Sequence, residues 1–186
     1  MDRRIKKNQT AIMDALIQLM AEKDFKKITI NEIADFANVN RGTIYSHFLD
    51  KYDLLDKCVE AHLESLLESC MPLAETGDFP PSDLLLRTFE LMETNALFYK
   101  TLFTNKGTIF FRDHVQDMMK KGIRDQIAQS NLSQDILRKD ILVEFLSSAT
   151  VGVIEWWFTN NMPCSPKEIT DQVWSLLEIH QAIPRS

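Results

Sequence analysis

Side chains suited to nucleic-acid binding are concentrated in residues 41–47, which read RGTIYSH. Arg can donate two hydrogen bonds to a guanine edge, and Thr, Ser and Tyr hydroxyls can bond to bases or phosphates. The stretch contains no acid, and Gly42 removes bulk where a helix would approach a phosphate backbone. These residue types therefore indicate contact with the groove of a DNA duplex.

Two short helices joined by a tight turn are predicted to position this stretch. Thr29 and Glu32 form a T-x-x-E capping box, which predicts a helix that begins just after Thr29. Asn38 suits the left-handed conformation of a tight turn, and Asn40 can cap a second helix that extends to about His47. Periodicity alone leaves an ordinary solvated helical hairpin as an equally good interpretation, because such patterns arise by chance in all-helical proteins.

The amino-terminal part of the chain resembles the DNA-binding domain of the TetR family of bacterial regulators. The matching residues include the first helix, Ile12–Met20, and the motif G-T-x-Y-x-H-F-x-x-K that starts at Gly42. The match covers about the first sixty residues and continues beyond them as helix pattern and length. Two departures are visible. Asn38 replaces the turn glycine common in the family, and Asp24-Phe25 stands where a glycine usually follows the first helix.

The resemblance implies an all-α fold and a homodimeric DNA-binding transcriptional regulator. Residues 1–50 would form a three-helix helix-turn-helix domain, and residues 51–186 a helical effector-binding and dimerisation domain, with about nine helices in total. The implied function is a repressor released by a small-molecule effector, and the alternative is a co-activator or protein-interaction member on the same scaffold. The operator would be a pseudo-palindromic duplex, contacted through these residues: Thr29, Asn40, Arg41, Gly42, Thr43, Tyr45, Ser46, His47 and Lys51, with Thr29 and Lys51 on phosphates.

Composition is that of a globular chain with an uneven charge distribution. The 186 residues are 45% hydrophobic and 26% charged, as in ordinary globular domains. The net charge is −6, but residues 1–51 carry nine Lys or Arg against seven Asp or Glu, while the remainder carries twelve against twenty. A weakly basic head on an acidic body would turn the head toward DNA, and it argues against a protein that coats nucleic acid with its whole surface.

Cysteine usage and the amino terminus predict a cytoplasmic protein. Cys58, Cys70 and Cys164 are odd in number and lack CxxC spacing, so neither a disulfide framework nor a zinc site is expected. A redox-sensing thiol would require an exposed site of low pKa, and this alternative stays open. Because the amino terminus is charged and has no apolar signal core, export is not expected.

A long apolar segment, Ile141–Phe158, contains only two charges, Glu144 and Glu155. A membrane span is disfavoured, because eighteen residues is marginal for a bilayer and two acids are costly in lipid. The segment is instead predicted to pack on its own domain with one side and on a partner chain with the other. The resemblance implies a two-fold four-helix interface with the last helix, and the candidate interface residues are Ser148, Gly152, Val173 and Leu177.

The resemblance also implies an effector pocket in the carboxy-terminal part of the chain. Aromatic and methionine side chains line apolar ligand pockets, although each of them is more often simple core. Glu155 beside two tryptophans suggests a cationic ligand, through charge pairing and cation–π contact. The candidate ligand-binding residues are Phe89, Met92, Phe98, Phe103, Phe110, Met119, Glu155 and Trp156.

Catalytic and metal-binding patterns find little support in the sequence. There is no HExxH, GxSxG or phosphate-loop motif, and the chain has only five glycines. His62, His114 and His180 have no second ligand at metal spacing, so a surface or packing role is expected for each. We therefore expect a regulator without a cofactor rather than an enzyme.

Overall fold

The computed structural model describes the backbone of residues 3–75, 81–105, 109–129 and 136–179. Within these ranges the chain forms nine α-helices and one 3-10 turn and no strand, which confirms the predicted all-α fold. The turn, Phe25–Lys27, is called the 25–27 turn below. The helices are α1 Arg3–Glu22, α2 Ile30–Phe36, α3 Arg41–Tyr45, α4 Lys51–Glu75, α5 Pro81–Thr94, α6 Ala96–Thr104, α7 Ile109–Gln129, α8 Ile136–Thr159 and α9 Pro166–Ile179.

Two compact units result from the packing of these helices. The first consists of Met1–Ser69 and Leu97–Thr108, and the second of Cys70–Ala96 and Ile109–Ser186. The first unit therefore groups most of α4 and nearly all of α6 with α1, α2 and α3. The predicted domains, 1–50 and 51–186, divide the chain by function rather than by packing, and that division stays a prediction.

The core of the first unit is built on the apolar face of α1. Ile12 and Leu16 on α1 are completely buried, and so are Ile33 on α2 and Ile44 on α3. On α1, Leu19 and Met20 are buried as well, and with Ile12 and Leu16 they recur at the three- and four-residue spacing of one helical face. Ile33 and Ile44 bury α2 and α3 in the same core. The arrangement is the predicted three-helix domain, and α4 closes it with further buried side chains, Leu54, Leu55 and Val59.

Helix α4 is longer than its sequence predicts. The sequence places its end at Pro72, yet the helix continues to Glu75. A proline inside a helix removes one backbone hydrogen bond and favours a kink, and α4 tolerates this loss within its last turn. Pro81 is the first residue of α5, where its missing N–H costs nothing.

The second unit is organised by two helix pairs, α7 with α8 and α5 with α9. Trp157 is its largest fully buried side chain; it meets Phe89 edge-to-face at 5.4 Å, and its Nε1 donates to the Cys164 carbonyl at 2.9 Å. Ser165 and Glu168 have the S-x-x-E spacing that predicts a capping box at the start of α9. The box is present, because each side chain bonds to the other residue's backbone N–H.

One stretch of the described chain, Lys139–Thr159 of α8, is long and apolar enough to cross a bilayer. In this structure 39% of its apolar window is buried within the protein. Val151, Ile154 and Trp157 of this stretch are completely buried. One side of α8 thus serves as core of the second unit, as predicted.

The aromatic residues are divided between the units. All three tyrosines, Tyr45, Tyr52 and Tyr99, lie in the first unit. All three tryptophans, Trp156, Trp157 and Trp174, lie in the second unit.

Candidate nucleic-acid interface

Helix α2 starts with the predicted capping box. The Glu32 backbone N–H donates to the Thr29 hydroxyl at 3.3 Å, and the Thr29 backbone N–H donates to Glu32 Oε2 at 2.9 Å. The Thr29 hydroxyl also donates to this carboxylate, at 2.9 Å. Thr29 is therefore occupied in holding α2, and a phosphate contact through its hydroxyl would require it to release Glu32.

Glu32 also joins α1 to α2 through an ion pair with Lys23. The hydrogen bond from Lys23, followed by the bonds from Thr29, lowers the pKa of Glu32 from 4.5 to about 2. A carboxyl with a depressed pKa stabilises the fold above its unfolded pKa. That contribution is lost as the pH falls from 4.5 toward about 2.

The turn between α2 and α3 has the geometry that its sequence predicts. Asn38 adopts a positive φ of 52°, so it takes the left-handed conformation in place of the family's usual glycine. The Asn40 side chain accepts a hydrogen bond from the Gly42 backbone N–H at 2.9 Å and caps α3. Ile44 and Phe48 are buried beneath α3, and this burial turns the opposite face of the helix outward.

The outward face of α3 carries an interacting pair, Arg41 and Tyr45. The Arg41 Nη2 atom donates to the Tyr45 hydroxyl at 3.1 Å, and the guanidinium lies 5.2 Å from the ring centroid. Both side chains are exposed, Tyr45 to 47%. The contact holds the guanidinium along the helix, and the Tyr45 hydroxyl keeps its own hydrogen for an external acceptor such as a phosphate.

The other polar residues predicted to contact DNA in this region differ in the hydrogen bonds that they make within the protein. The Ser46 hydroxyl donates to the Thr43 carbonyl at 2.8 Å and so ends α3. Thr43 and His47 are half-buried, and among the described residues neither makes a side-chain hydrogen bond. The polar side chains available for an external contact are therefore those of Arg41, Thr43 and Tyr45 on α3 and that of His47 just after it.

The packing of the chain leaves room for a side chain at Gly42. A Cβ added there would meet only the Asn40 Oδ1 atom, at 3.5 Å, which is an ordinary contact. The fold does not require glycine at this position, and close approach to DNA stays the predicted reason for it. Gly42→Ala should raise stability by up to about 1 kcal/mol, because alanine favours helix, and should weaken DNA binding. Thermal denaturation followed by circular dichroism measures the change in stability, and titration with DNA measures the change in affinity. Weaker binding together with a lower Tm would contradict this role.

Lys51 occupies a different environment from the one expected of a phosphate contact. Its ammonium donates to three carbonyls, those of Phe25 and Lys26 at 3.0 Å and that of Ile28 at 2.8 Å. An ammonium has three N–H donors, so all of them are used within the chain. The phosphate role stays a prediction, but the geometry assigns Lys51 to holding the 25–27 turn against the start of α4.

Asn105 is a residue that the sequence gives no reason to select. Its Nδ2 donates to the carbonyls of Met20 at 3.1 Å and Lys23 at 3.3 Å, where α1 ends, and its Oδ1 accepts from the Phe25 N–H at 3.5 Å. The contact joins the end of α6 to the end of α1 across about eighty positions of sequence. No local pattern signals a contact over such a separation.

The candidate ligand-binding residues are divided between the two units. Phe89 and Met92 are buried in the second unit, whereas Phe98 belongs to the first unit and stacks on His62 at 3.7 Å. Phe103 is half-buried in the first unit. Met119 is half-buried in the second, and the side chain of Phe110 lies outside the described residues.

Arg112 of the protein would compete with a cationic ligand for the Glu155 carboxylate. Its carboxylate accepts a hydrogen bond from Arg112 Nε at 3.1 Å, so a cation of the protein already pairs with it. Trp156 is 50% exposed, whereas Trp157 is buried in the core. Glu155 and Trp156 therefore lie at the surface of the second unit.

The candidate dimer residues divide between surface and core. Ser148 is exposed and accepts from Gln116 Nε2 at 3.0 Å, and a Cβ added at Gly152 would meet nothing within 4 Å. Val173 is buried in its own unit and offers little surface to a partner, while Leu176 is the exposed apolar residue of α9. The side chain of Leu177 lies outside the described residues.

The cysteine and histidine side chains show packing roles where the structure describes them. Burial, with a smaller effect of Asp14, raises the pKa of the Cys58 thiol to about 12, which makes it unreactive. Burial lowers the pKa of His62, which stacks on Phe98. Cys164 is half-buried. Among the described residues, no three His, Cys, Asp or Glu side chains are grouped so as to hold a metal ion.

Relatives and a solved structure share this architecture. The chain is 24% identical over 183 residues to the HTH-type transcriptional regulator YxbF of Bacillus subtilis (strain 168), covering 91% of this chain and 44% of that protein. It therefore spans less than half the length of YxbF. It is 21% identical over 185 residues to the HTH-type transcriptional repressor KstR2 of Mycolicibacterium smegmatis, and the match covers 88% of this chain and 87% of KstR2. The solved structure of the dihydroxyacetone kinase operon activator DhaS matches with a TM-score of 0.67 at 21% identity, and the match covers 96% of this chain and 98% of DhaS.

Two family models match the chain. Residues 12–58, which include α2 and α3, match the model of bacterial regulatory proteins of the tetR family. Residues 81–178, more than half of the chain, match the model of a transcriptional regulator C-terminal region. Together with the capped helix-turn-helix and its outward Arg41–Tyr45 pair, these matches show that the chain belongs to the TetR family of bacterial transcriptional regulators.

Proposed function

We propose that this protein regulates transcription from the cytoplasm by binding a pseudo-palindromic operator as a homodimer. The observation that carries this proposal is the outward, acid-free face of α3, with Arg41 and Tyr45 exposed above a buried Ile44. A helix with this face fits the major groove, where Arg reads guanine and a tyrosine hydroxyl bonds to phosphate. Two such helices on a two-fold axis, about 34 Å apart or a multiple of it, meet successive major grooves.

The exposed side of α8 supports the dimer. Ile141, Phe145 and Trp156 are large apolar side chains exposed to 61%, 56% and 50%. Their positions, together with Ser148 and Gly152 between them, recur at three- and four-residue intervals and so form one stripe of the helix. An apolar stripe of this length is unfavourable in water, and a second copy of α8 would cover it.

Repression released by a small-molecule effector is the regulatory mode that we place first. KstR2 is named a repressor, and the second unit contains buried aromatic and methionine side chains such as Phe89 and Met92 that suit an apolar ligand. An effector that prefers one conformation of the dimer would shift the population toward it and change DNA affinity. We expect a neutral ligand rather than a cationic one, because Glu155 already pairs with Arg112.

The alternative is a member that activates transcription or acts through protein contacts. DhaS, which shares this fold, is named an activator. A reporter gene behind the operator separates the two modes. Deletion of the regulator would raise expression if it represses and lower expression if it activates.

The DNA-binding proposal can be tested before the operator is identified. The purified full-length protein would be used to select duplexes from a random pool. We expect enrichment of a two-fold symmetric sequence whose half-site centres lie about 10 base pairs apart, or a multiple of this number. Enrichment of a single, unrepeated site would contradict the dimer, and failure to retain any duplex would contradict DNA binding itself.

A further inference from the structure

The 25–27 turn is held more firmly than a three-residue connection normally requires. Phe25 is 1% exposed, the Asp24 carboxylate accepts from the Lys26 N–H at 2.8 Å, and the Lys51 ammonium contacts three carbonyls of the turn and its end. Asn105 adds an acceptor for the Phe25 N–H. Helices α4 and α6 thus hold the backbone of a segment that has no core of its own beyond Phe25.

This turn presents two cations to solvent. Lys26 and Lys27 are exposed, and neither has a carboxylate within ion-pair distance among the described residues. The nearest acids in sequence are Glu22 and Asp24, and Asp24 directs its carboxylate to the backbone of the turn. By contrast, Lys23 pairs with Glu32, and Lys57 pairs with Asp53 at 3.0 Å.

The position of the turn places it near the DNA-reading helix. Lys51 contacts the turn directly and follows Tyr45 by only six residues, which limits their separation to about 20 Å. This bound applies to Lys51, which holds the turn. Phosphates border the major groove, which is about 12 Å wide, on both sides of a helix bound in it, so the cations of a turn held by Lys51 are candidates for contacting them. Lys27 also precedes Thr29, the N-cap of α2, by only two residues.

We propose that Lys26 and Lys27 contact phosphates of the DNA backbone beside the groove in which α3 binds. This inference rests on the proposed DNA binding and assigns the backbone contact to two residues outside the helix-turn-helix. Lys51 is then a positioning residue, because its ammonium fixes the turn instead of meeting a phosphate. The two lysines carry no sequence information, so they strengthen binding to every duplex equally.

The test is the salt dependence of DNA binding by the full-length protein. Each phosphate contact contributes a slope of about −0.9 to log K against log salt. A dimer carries four of these lysines, two in each chain. Replacing both lysines, Lys26→Gln with Lys27→Gln, should therefore flatten the slope by about 3.6 and weaken binding roughly five- to tenfold per lysine at 0.1 M salt. Selected operator and random duplex should lose affinity by the same factor.

A matched control exists on α7 in the second unit, where Lys121 and Arg124 are exposed and, among the described residues, have no carboxylate within ion-pair distance. Their double replacement by Gln removes the same charge and should leave the slope unchanged. Restoring the charge with Arg at positions 26 and 27 should restore the slope. Lys51→Gln should lower the Tm, whereas the Lys26 and Lys27 double variant should not.

Two results would overturn the inference while leaving DNA binding intact. One is a slope for the Lys26 and Lys27 double variant that equals that of the Lys121 and Arg124 control. The other is a flattened slope for Lys51→Gln without loss of Tm, which would return the phosphate contact to Lys51. If the unmodified protein retains no duplex at any salt concentration, the proposed function itself fails.

Discussion

Tyr45→Ala is expected to abolish operator binding while leaving the protein folded. The side chain is 47% exposed and contributes a hydroxyl, a ring surface and the position of Arg41 to the outer face of α3. A good base or phosphate contact is worth about 1–3 kcal/mol, and a dimer loses two copies of it, so affinity should fall by about 30-fold to 10⁴-fold. Titration of the selected operator with the purified variant measures this loss.

The stability of the same variant should change little. Exposed substitutions usually alter the free energy of unfolding by less than about 0.5 kcal/mol, and alanine favours helix over tyrosine. Tyr45→Phe separates the hydroxyl from the ring, because it keeps the surface beneath Arg41 and removes only the hydrogen bond. The neighbouring Ile44→Ala is the contrasting control, since a buried side chain should cost about 2–5 kcal/mol and reduce Tm and binding together. Parallel losses for Tyr45→Ala would mean that Tyr45 is core.

Gly152→Glu is expected to dissociate the dimer and to stabilise the isolated chain slightly. A side chain added at this position meets nothing within 4 Å, and replacing glycine within a helix gains a few tenths of a kcal/mol. Across a two-fold axis the same change would bury two like charges in an apolar interface. Such a burial costs several kcal/mol, so the dimer dissociation constant should rise by at least about 10³-fold. Sedimentation over a range of protein concentrations measures it.

Gly122→Glu on α7 is the matched control for this experiment. A Cβ at Gly122 also meets nothing within 4 Å, so the substitution adds the same charge to an equally open helical position. We expect Gly122→Glu to remain dimeric and to bind the operator as before. Gly152→Glu should lose operator affinity by about 10² to 10⁴-fold, because each half-site must then be bound separately. If both variants remain dimeric, the exposed stripe of α8 does not form the interface.

Sequence reasoning succeeded where the determinants were local. The capping boxes at Thr29 and Ser165 require residues three apart, and the left-handed turn at Asn38 requires one residue type at one position. The four-residue spacing of Ile44 and Phe48 likewise predicts that they share one apolar face, and both are buried. In each case, the atoms that make the contact are neighbours along the chain.

Sequence reasoning was weaker where the determinants were distant contacts. Lys51 has the residue type of a phosphate ligand, but the carbonyls that surround it come from residues 25–28, more than twenty positions earlier. Asn105 and Glu155 likewise acquire their partners, at the end of α1 and at Arg112, only when separate helices pack. The sequence shows which hydrogen-bonding groups a side chain has. The packing of distant helices determines which of these groups are already bonded within the protein.

The division of aromatic residues between the two units makes the protein its own optical reporter. Red-edge excitation selects indole emission, which arises from Trp156, Trp157 and Trp174 and so reports on the second unit alone. The tyrosine bands of the second-derivative absorbance spectrum arise from Tyr45, Tyr52 and Tyr99 and report on the first unit. Coincident melting curves in the two channels would show that the units unfold as one cooperative block, and separated curves would give each unit its own transition without any attached dye.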